Sequence, residues 1–391
     1  MIDILENIMS RKLATIQKIA KLFPIEKADK IEVALMENLD YECVVKKGEF
    51  KIGDLCCYFE CDSILPERPE FEFMRERKFR VKIIKLRKQI SRGLIMPVDI
   101  LPEPLLSKVK DKNYSDIGKD LTEVLGVKKH DPQLAKEKED LENTKTKVPK
   151  WLMDMWWFRW IYFKLNPKNK GSWPNWVEHT EEYRIQVCAR LLMNHFNEEW
   201  YITEKIDGQS LSVFTYFKKV WGFKKKMFGV ASRTVWRKKE DNSDWWEVTR
   251  KLKLKDILMK IETPILCQAE NMGPKIQGNK YKLIEPDIYV FNLIVNGKRQ
   301  PWSDLVKFCN ENNLKTVPLI CDSFIPAKEI GKKIDCAFDT HEVVNWMLEY
   351  SKGKSLLFNR NREGIILRLK SDPHVSFKVI NPDFEIENKD E

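Results

Sequence analysis

Lys205 stands two residues before a carboxylate and three before a glycine, in the stretch Tyr201-Ile202-Thr203-Glu204-Lys205-Ile206-Asp207-Gly208-Gln209-Ser210-Leu211. The alternation up to Asp207-Gly208, followed by a second alternating run from Ser212 to Tyr216, reads as a β-hairpin with Lys205 near its end. An amine so placed is either an ordinary surface cation on a half-buried strand or a nucleophile. A nucleophile must shed its proton, and an unperturbed lysine holds it up to a pKa of about 10.4. Burial next to other cations favours the neutral amine, so a reactive Lys205 calls for positive charge around it.

Further motifs follow in order: Val230-Ala231-Ser232-Arg233, Gln268-Ala269-Glu270-Asn271, Tyr289-Val290-Phe291-Asn292, Arg362-Glu363-Gly364-Ile365-Ile366-Leu367-Arg368 and Ser376-Phe377-Lys378-Val379. With the Lys205 stretch, their order and spacing resemble those of the covalent nucleotidyltransferases, the superfamily of polynucleotide ligases and mRNA-capping enzymes. The resemblance implies that Lys205 attacks the α-phosphorus of ATP, giving lysyl-AMP and pyrophosphate. It further implies that Lys378 meets the α-phosphate, that Arg233 meets nucleotide or RNA phosphates, and that both supply positive charge near Lys205. Glu204 and Ile206, which flank the lysine, and Glu270 fall among the nucleotide-contacting residues. Phe291 matches the aromatic that stacks on the base, its alternative being a core phenylalanine. Asp207, Glu270 and Glu363 are the implied ligands of Mg2+ or Mn2+, a hard cation that takes oxygen donors. Two departures stand out: Val379 and Ile380 follow Lys378 where relatives often carry a second lysine, and Ala269 replaces a common glycine.

The elements that must position these residues fall into three parts. Residues 1–106 contain short alternating runs, including Leu13 to Ile16, Ile31 to Ala34 and Tyr41 to Val45, punctuated by Gly48 and Gly53. Such a pattern predicts a small β-barrel or sandwich. Within it, Lys78 to Arg92 carries seven basic residues and no acidic one. Read as one strand, it puts Arg80 and Lys82 on the face opposite Phe79, Val81 and Ile83. That face is either a solvated edge or a track for a phosphate backbone, with Arg80 and Lys82 as its RNA contacts. Residues 107–172 read as a charged linker and a Trp-rich connector; Trp151, Trp156, Trp157 and Trp160 fit a packing surface better than a base-stacking platform. Residues 173–391 carry the chemistry, opening with Thr180 as a helix N-cap.

Ala28 to Glu32, Gly48 to Asp54 and Ser91 to Pro97 resemble the N-terminal OB module of ATP-dependent RNA ligases of the Deinococcus/Naegleria type. The stretch around Glu181-Glu182-Tyr183-Arg184-Ile185-Gln186 resembles the segment that precedes the lysine motif in that branch, where the arginine, here Arg184, meets ATP phosphates. The sequence ends 13 residues after Lys378, too few for the C-terminal OB domain of DNA ligases and capping enzymes. The expected fold is therefore α+β: an N-terminal OB-type β-barrel followed by a ligase-type nucleotidyltransferase domain of antiparallel sheets flanked by helices. The expected function is ATP-dependent RNA ligation, with a nicked duplex bearing RNA on the 3′-OH side as substrate. A capping-type guanylyltransferase and a non-catalytic RNA-binding scaffold are the alternatives.

Composition agrees with this frame. Apolar residues make up 43% and charged residues 33%, and the net charge of +10 favours a polyanionic partner. The nine cysteines form no pair of Cys-x-x-Cys units, which fits reduced thiols rather than zinc ligands. The N-terminus lacks an apolar leader, and Trp151 to Phe163 is too short and too charged to span a bilayer. A cytoplasmic monomer without membrane contact is the expectation.

Overall fold

The computed structural model describes residues 12–111, 114–130, 152, 154–158, 170–174, 176–180, 182–233, 235–237, 240–331 and 339–387. The strand Ala14–Pro24 organises the N-terminal module because a register shift between Ile19 and Lys21 lets it serve two partners. Its first half pairs with Leu55–Phe59 and its second with Ile31–Met36. The sheet order is Leu39–Lys46, Ile31–Met36, Ala14–Pro24, Leu55–Phe59, Leu94–Pro97. Its ends approach each other where Arg92 N donates to Glu42 O (2.9 Å) and Val44 N to Ser91 Oγ (2.9 Å). Pairing of this kind uses edge groups that would otherwise be left open. One core gathers around Ile16, Phe59 and Phe71 and another around Ile19, Met36 and Tyr58.

Two expectations change here. Lys78 to Arg92 is not one strand. A 3-10 segment, Pro69–Arg77, runs into Lys78 and Phe79 at φ 52° and 56°, and Ile84–Leu86 then turns through Arg87 and Lys88, also at positive φ, into Gln89–Ser91. Alternation survives only locally: Phe79 and Val81 are buried while Arg80 and Lys82 are half-buried. Nor does the module stop at 106, since Val109, Leu121, Leu125 and Val127 belong to its core and Lys128–Lys129 pairs with Ser63–Ile64. The charged run from Lys136 to Lys147, and Trp151 and Trp160, lie outside the described residues; Trp156 and Trp157 are exposed.

The second half is built from two sheets. One has the order Lys170–Ser172, Val235–Arg237, Phe223–Ala231, Gln209–Val220, Ile265–Met272, Asp287–Val295, Lys298–Arg299, with Lys315–Thr316 beside Asp287–Val295. The other runs Tyr183–Arg184, Ser376–Ile380, Gly364–Leu369, Trp200–Lys205, Leu319–Phe324. Helices Asp244–Lys251, Leu254–Met259 and Trp302–Glu311 cover the first, and Ile185–Asn194 and Thr340–Tyr350 cover the second. The α+β architecture, an OB module followed by a nucleotidyltransferase domain, is thus present. Thr180 does not cap a helix: its hydroxyl meets Ser210 Oγ, and the helix starts after Arg184.

The N-terminal module packs on the helices Ile185–Asn194 and Thr340–Tyr350 of the second half. His341 lies 3.1 Å from Glu42, Thr340 Oγ1 donates to Asp40, Arg190 donates to Asn38, and Lys21 pairs with Asp339. Arg92 and Arg184, from the two halves, converge on the buried Glu385.

Candidate active site

Lys205 ends a strand that is paired on both sides, by Gly364–Leu369 and by Leu319–Phe324. The chain then crosses through Ile206, Asp207 and Gly208 into the other sheet, where Gln209–Val220 pairs with Phe223–Ala231 and Ile265–Met272. Asp207-Gly208 is therefore a crossover between sheets and not the expected hairpin turn. Gly208 is required by close approach: a Cβ there would lie 2.7 Å from Asn271 O and 2.9 Å from Glu270 Cγ.

The crossover brings distant residues together. The register Lys205↔Gly364 sets Glu363 beside the lysine, and Lys205 Nζ lies 2.6 Å from Glu363 Oε2. Glu270 Oε1 accepts from Gly208 N at 3.0 Å. Burial disfavours the Lys205 ammonium, but Glu363, Glu270 and Asp207 outweigh it and hold the proton more tightly than usual. Burial pushes the Glu270 carboxyl up to about 8; Lys205 opposes this, while Glu363 and Asp207 reinforce it. Burial likewise raises Glu363, with Lys205 opposing and Asp207 adding to the shift. The surroundings of Lys205 are thus acidic, contrary to the expectation of gathered positive charge.

Lys378 stands opposite Ile366 and beside Arg184 in the sheet, and its charge acts on Glu363. Arg233, half-buried, lies just past the strand Phe223–Ala231. Ile206 is buried with Met272, Tyr289 and Val317, and Phe291 packs against them half-exposed, forming an apolar patch next to the acidic group. Glu204 is buried and accepts from Leu356 N at 2.8 Å, so its carboxylate anchors the loop that leads to Glu363.

Two sequence-derived contacts are engaged elsewhere. The Arg184 guanidinium donates to Glu385, so a phosphate contact requires that pair to open. Arg80 donates to Asp62 at 2.9 Å, which neutralises part of the expected phosphate track. Other residues of the site escaped sequence reading. Lys280 Nζ meets Asp207 Oδ2 at 2.8 Å, Asp207 N donates to Tyr281 Oη at 2.9 Å, and Gln277 Nε2 donates to Gly208 O at 3.3 Å. The polar segment Gln277 to Tyr281 looks like an ordinary surface loop, and no spacing in it signals that it clasps the crossover.

Among the described residues no group of three or more His, Cys, Asp and Glu side chains is gathered tightly enough to hold a metal ion. The chemistry of Asp207, Glu270 and Glu363 nevertheless fits a hard divalent cation. They are oxygen donors, and Asp207 raises the proton affinity of both Glu270 and Glu363, a repulsion that a cation relieves. The described cysteines form no disulfide, and burial raises Cys57 and Cys61 to about 12, as for inert thiols.

Comparison with known proteins agrees with this geometry. An OB-fold domain family matches residues 13–98, and the RNA ligase family matches residues 198–380. A search among curated proteins gave no match. Among solved structures, Naegleria gruberi RNA ligase with PPi is 25% identical with a TM-score of 0.74, covering 98% of this chain and 100% of that one. An apo variant of the same ligase is 25% identical with a TM-score of 0.73, covering 97% and 99%. A variant with AMP and Mn is 25% identical with a TM-score of 0.74, covering 97% and 100%. Fold and motif order are those of a covalent nucleotidyltransferase, and within that class the chain carries an RNA ligase domain behind an N-terminal OB module, the arrangement of an ATP-dependent RNA ligase.

Proposed function

We propose that this ligase seals 3′-OH/5′-phosphate nicks in duplexes with RNA on the 3′-OH side, using ATP and a divalent cation. The observation that carries this reading is Lys205 at a sheet crossover, 2.6 Å from Glu363 and within the field of Glu270 and Asp207. Solved complexes of the Naegleria enzyme with AMP and Mn and with PPi support the choice of nucleotide and metal.

In the first step Lys205 Nζ, freed of its proton, forms a bond to the α-phosphorus while the bond to the β-phosphate oxygen breaks and pyrophosphate leaves. A 5′-phosphate oxygen then displaces the lysine, giving a 5′–5′ pyrophosphate link, and the 3′-hydroxyl displaces AMP to join the strands. Lys378 neutralises the α-phosphate, Arg233 meets phosphates of the nucleotide or RNA, and Phe291 stacks on the base above Ile206. Asp207, Glu270 and Glu363 would hold the cation, whose charge would offset the carboxylates that keep Lys205 protonated. The site should bind ATP without Arg184 at first, that residue engaging phosphate when it leaves Glu385. The 2′-hydroxyl is the group by which RNA is demanded near the 3′ end.

The test incubates wild-type, Lys205→Ala and Glu363→Ala proteins with α-labelled ATP or GTP and magnesium. Covalent label from ATP in the wild type, lost in both variants, is the expected result. Label from GTP would identify a capping-type enzyme. No label with magnesium or manganese would leave the scaffold reading.

A further inference from the structure

The strands Gln209–Val220 and Phe223–Ala231 form a long hairpin whose outer end stands clear of the protein. Registered pairs run out to Val220↔Phe223, and the loop is Trp221-Gly222, with φ of 52° and 82°. Both loop residues at positive φ mark the tight hairpin turn that usually carries Asn-Gly. A bulky aromatic in that conformation is a genuine outlier. Trp221 is nevertheless 94% exposed and Phe223 80% exposed, so neither ring gains packing within the molecule.

Around the two rings stand Lys218, Lys219, Lys224 and Lys225, all exposed, and no acidic residue occurs between Gln209 and Ala231. The base is pinned: Lys226 Nζ donates to Leu258 O (3.1 Å) and Met259 O (3.2 Å), carbonyls of the last helical turn. The tip is thus a braced arm with two bare aromatics among four lysines. Lysines alone protect a sheet edge and keep it soluble; exposed Trp and Phe work against solubility and call for a partner.

We propose that this tip is a second RNA-binding point, where Trp221 and Phe223 stack on bases or ribose faces and the four lysines neutralise backbone phosphates. Charge complementarity selects a polyanion, and flat exposed rings among cations match the way single-stranded and frayed nucleic acid is held. The strand Gln209–Val220 begins at the crossover after Lys205, so the tip lies about 36 Å of strand from the site. That reach corresponds to about ten base pairs of duplex. The tip would therefore grip a flank of the substrate rather than the junction.

The proposal rests on RNA being the substrate of the Lys205 site, so binding is measured separately from sealing. Wild-type protein, Trp221→Ala/Phe223→Ala, and a variant with Lys218, Lys219, Lys224 and Lys225 changed to Gln are titrated with fluorescent nicked duplexes whose short flanks of about 6 base pairs either end there or are lengthened by a single-stranded extension of about 18 nucleotides. The aromatic variant should bind the extended RNA about tenfold or more weakly and the short one unchanged. The lysine variant should lower the slope of log K against log salt by up to about 3 for the extended RNA only. Lysyl-AMP formation should be the same in all three proteins, which also shows that the variants are folded. Unchanged binding of the extended RNA by both variants overturns the proposal. Loss of binding to phosphatidylserine vesicles, with RNA binding intact, overturns it in favour of a membrane surface. Failure of the wild type to seal, with tip-dependent RNA binding preserved, counts against the ligase substrate and not against the tip.

Discussion

Lys205, Glu363, Glu270 and Asp207 form one electrostatic unit, and small displacements in it should be felt strongly. Gly208 supplies a direct probe. A Cβ at this position meets a backbone oxygen at 2.7 Å, so the crossover must shift and carry both the Glu270 hydrogen bond and Lys205 with it. Gly208→Ala is expected to slow lysyl-AMP formation about 100-fold or more, as a misplacement of about an ångström does, while the protein remains folded. Single-turnover labelling checks it; an unaltered rate would mean that the crossover tolerates the shift. In the proposed reaction a cation would also act on the lysine itself, since Glu363, Glu270 and Asp207 together outweigh the burial that favours its neutral form.

At the scale of elements, the joint between the OB module and the helices Ile185–Asn194 and Thr340–Tyr350 is polar and buried. Arg92 and Glu385 are 7% and 6% exposed in their side chains, so removing one partner strands charge away from water. Glu385→Ala is expected to cost about 3–5 kcal/mol, read as a fall in denaturant midpoint. It also frees Arg184, whose new availability should appear as an altered KM for ATP in adenylylation. His341 adds a pH dependence. Burial lowers its proton affinity, but the hydrogen bond and charge of Glu42, with Asp40 and Asp339, more than compensate; Lys21 pairs with Asp339 on the far side. Its folded pKa is raised, so its contribution is whole below the unfolded value of 6.5 and is lost as pH rises through the folded value. Glu42 is shifted the other way, chiefly against its own burial by the His341 and Gln89 hydrogen bonds, so its contribution is lost as pH falls through its lowered value. The joint should thus be firmest in mildly acid solution. His341→Gln should flatten the stability profile on the alkaline side of pH 6.5, as followed by chemical denaturation; a profile parallel to wild type would remove His341 from this role.

For the whole molecule, a net charge of +10 does not describe where RNA lies. Arg80, the clearest sequence candidate on the OB module, is tied to Asp62, whereas the lysines of the Trp221 hairpin are exposed. The two halves are linked through Glu385 and His341, so the OB module is held against the helices that back the Lys205 sheet. An arm reaching away from that sheet extends the footprint along the RNA.

Motif order was readable through its resemblance to the covalent nucleotidyltransferases, and the structure brings Lys205, Asp207, Glu270 and Glu363 together with Phe291 beside Ile206. Strand existence was readable too, because alternation over five or six residues is local. Partner choice was not. Asp207-Gly208 has the composition of a hairpin turn, but pairing is decided by contacts across the chain, and Lys205 meets a carboxylate 158 residues away. The same holds for Arg184, whose position matches a phosphate contact while its guanidinium is claimed by Glu385. Lys280 and Tyr281 carried no signal, since a loop's composition does not say what it will close over. Sequence determined which groups could react; the tertiary structure decided which charges they face, because that depends on burial and on which distant strands share a sheet.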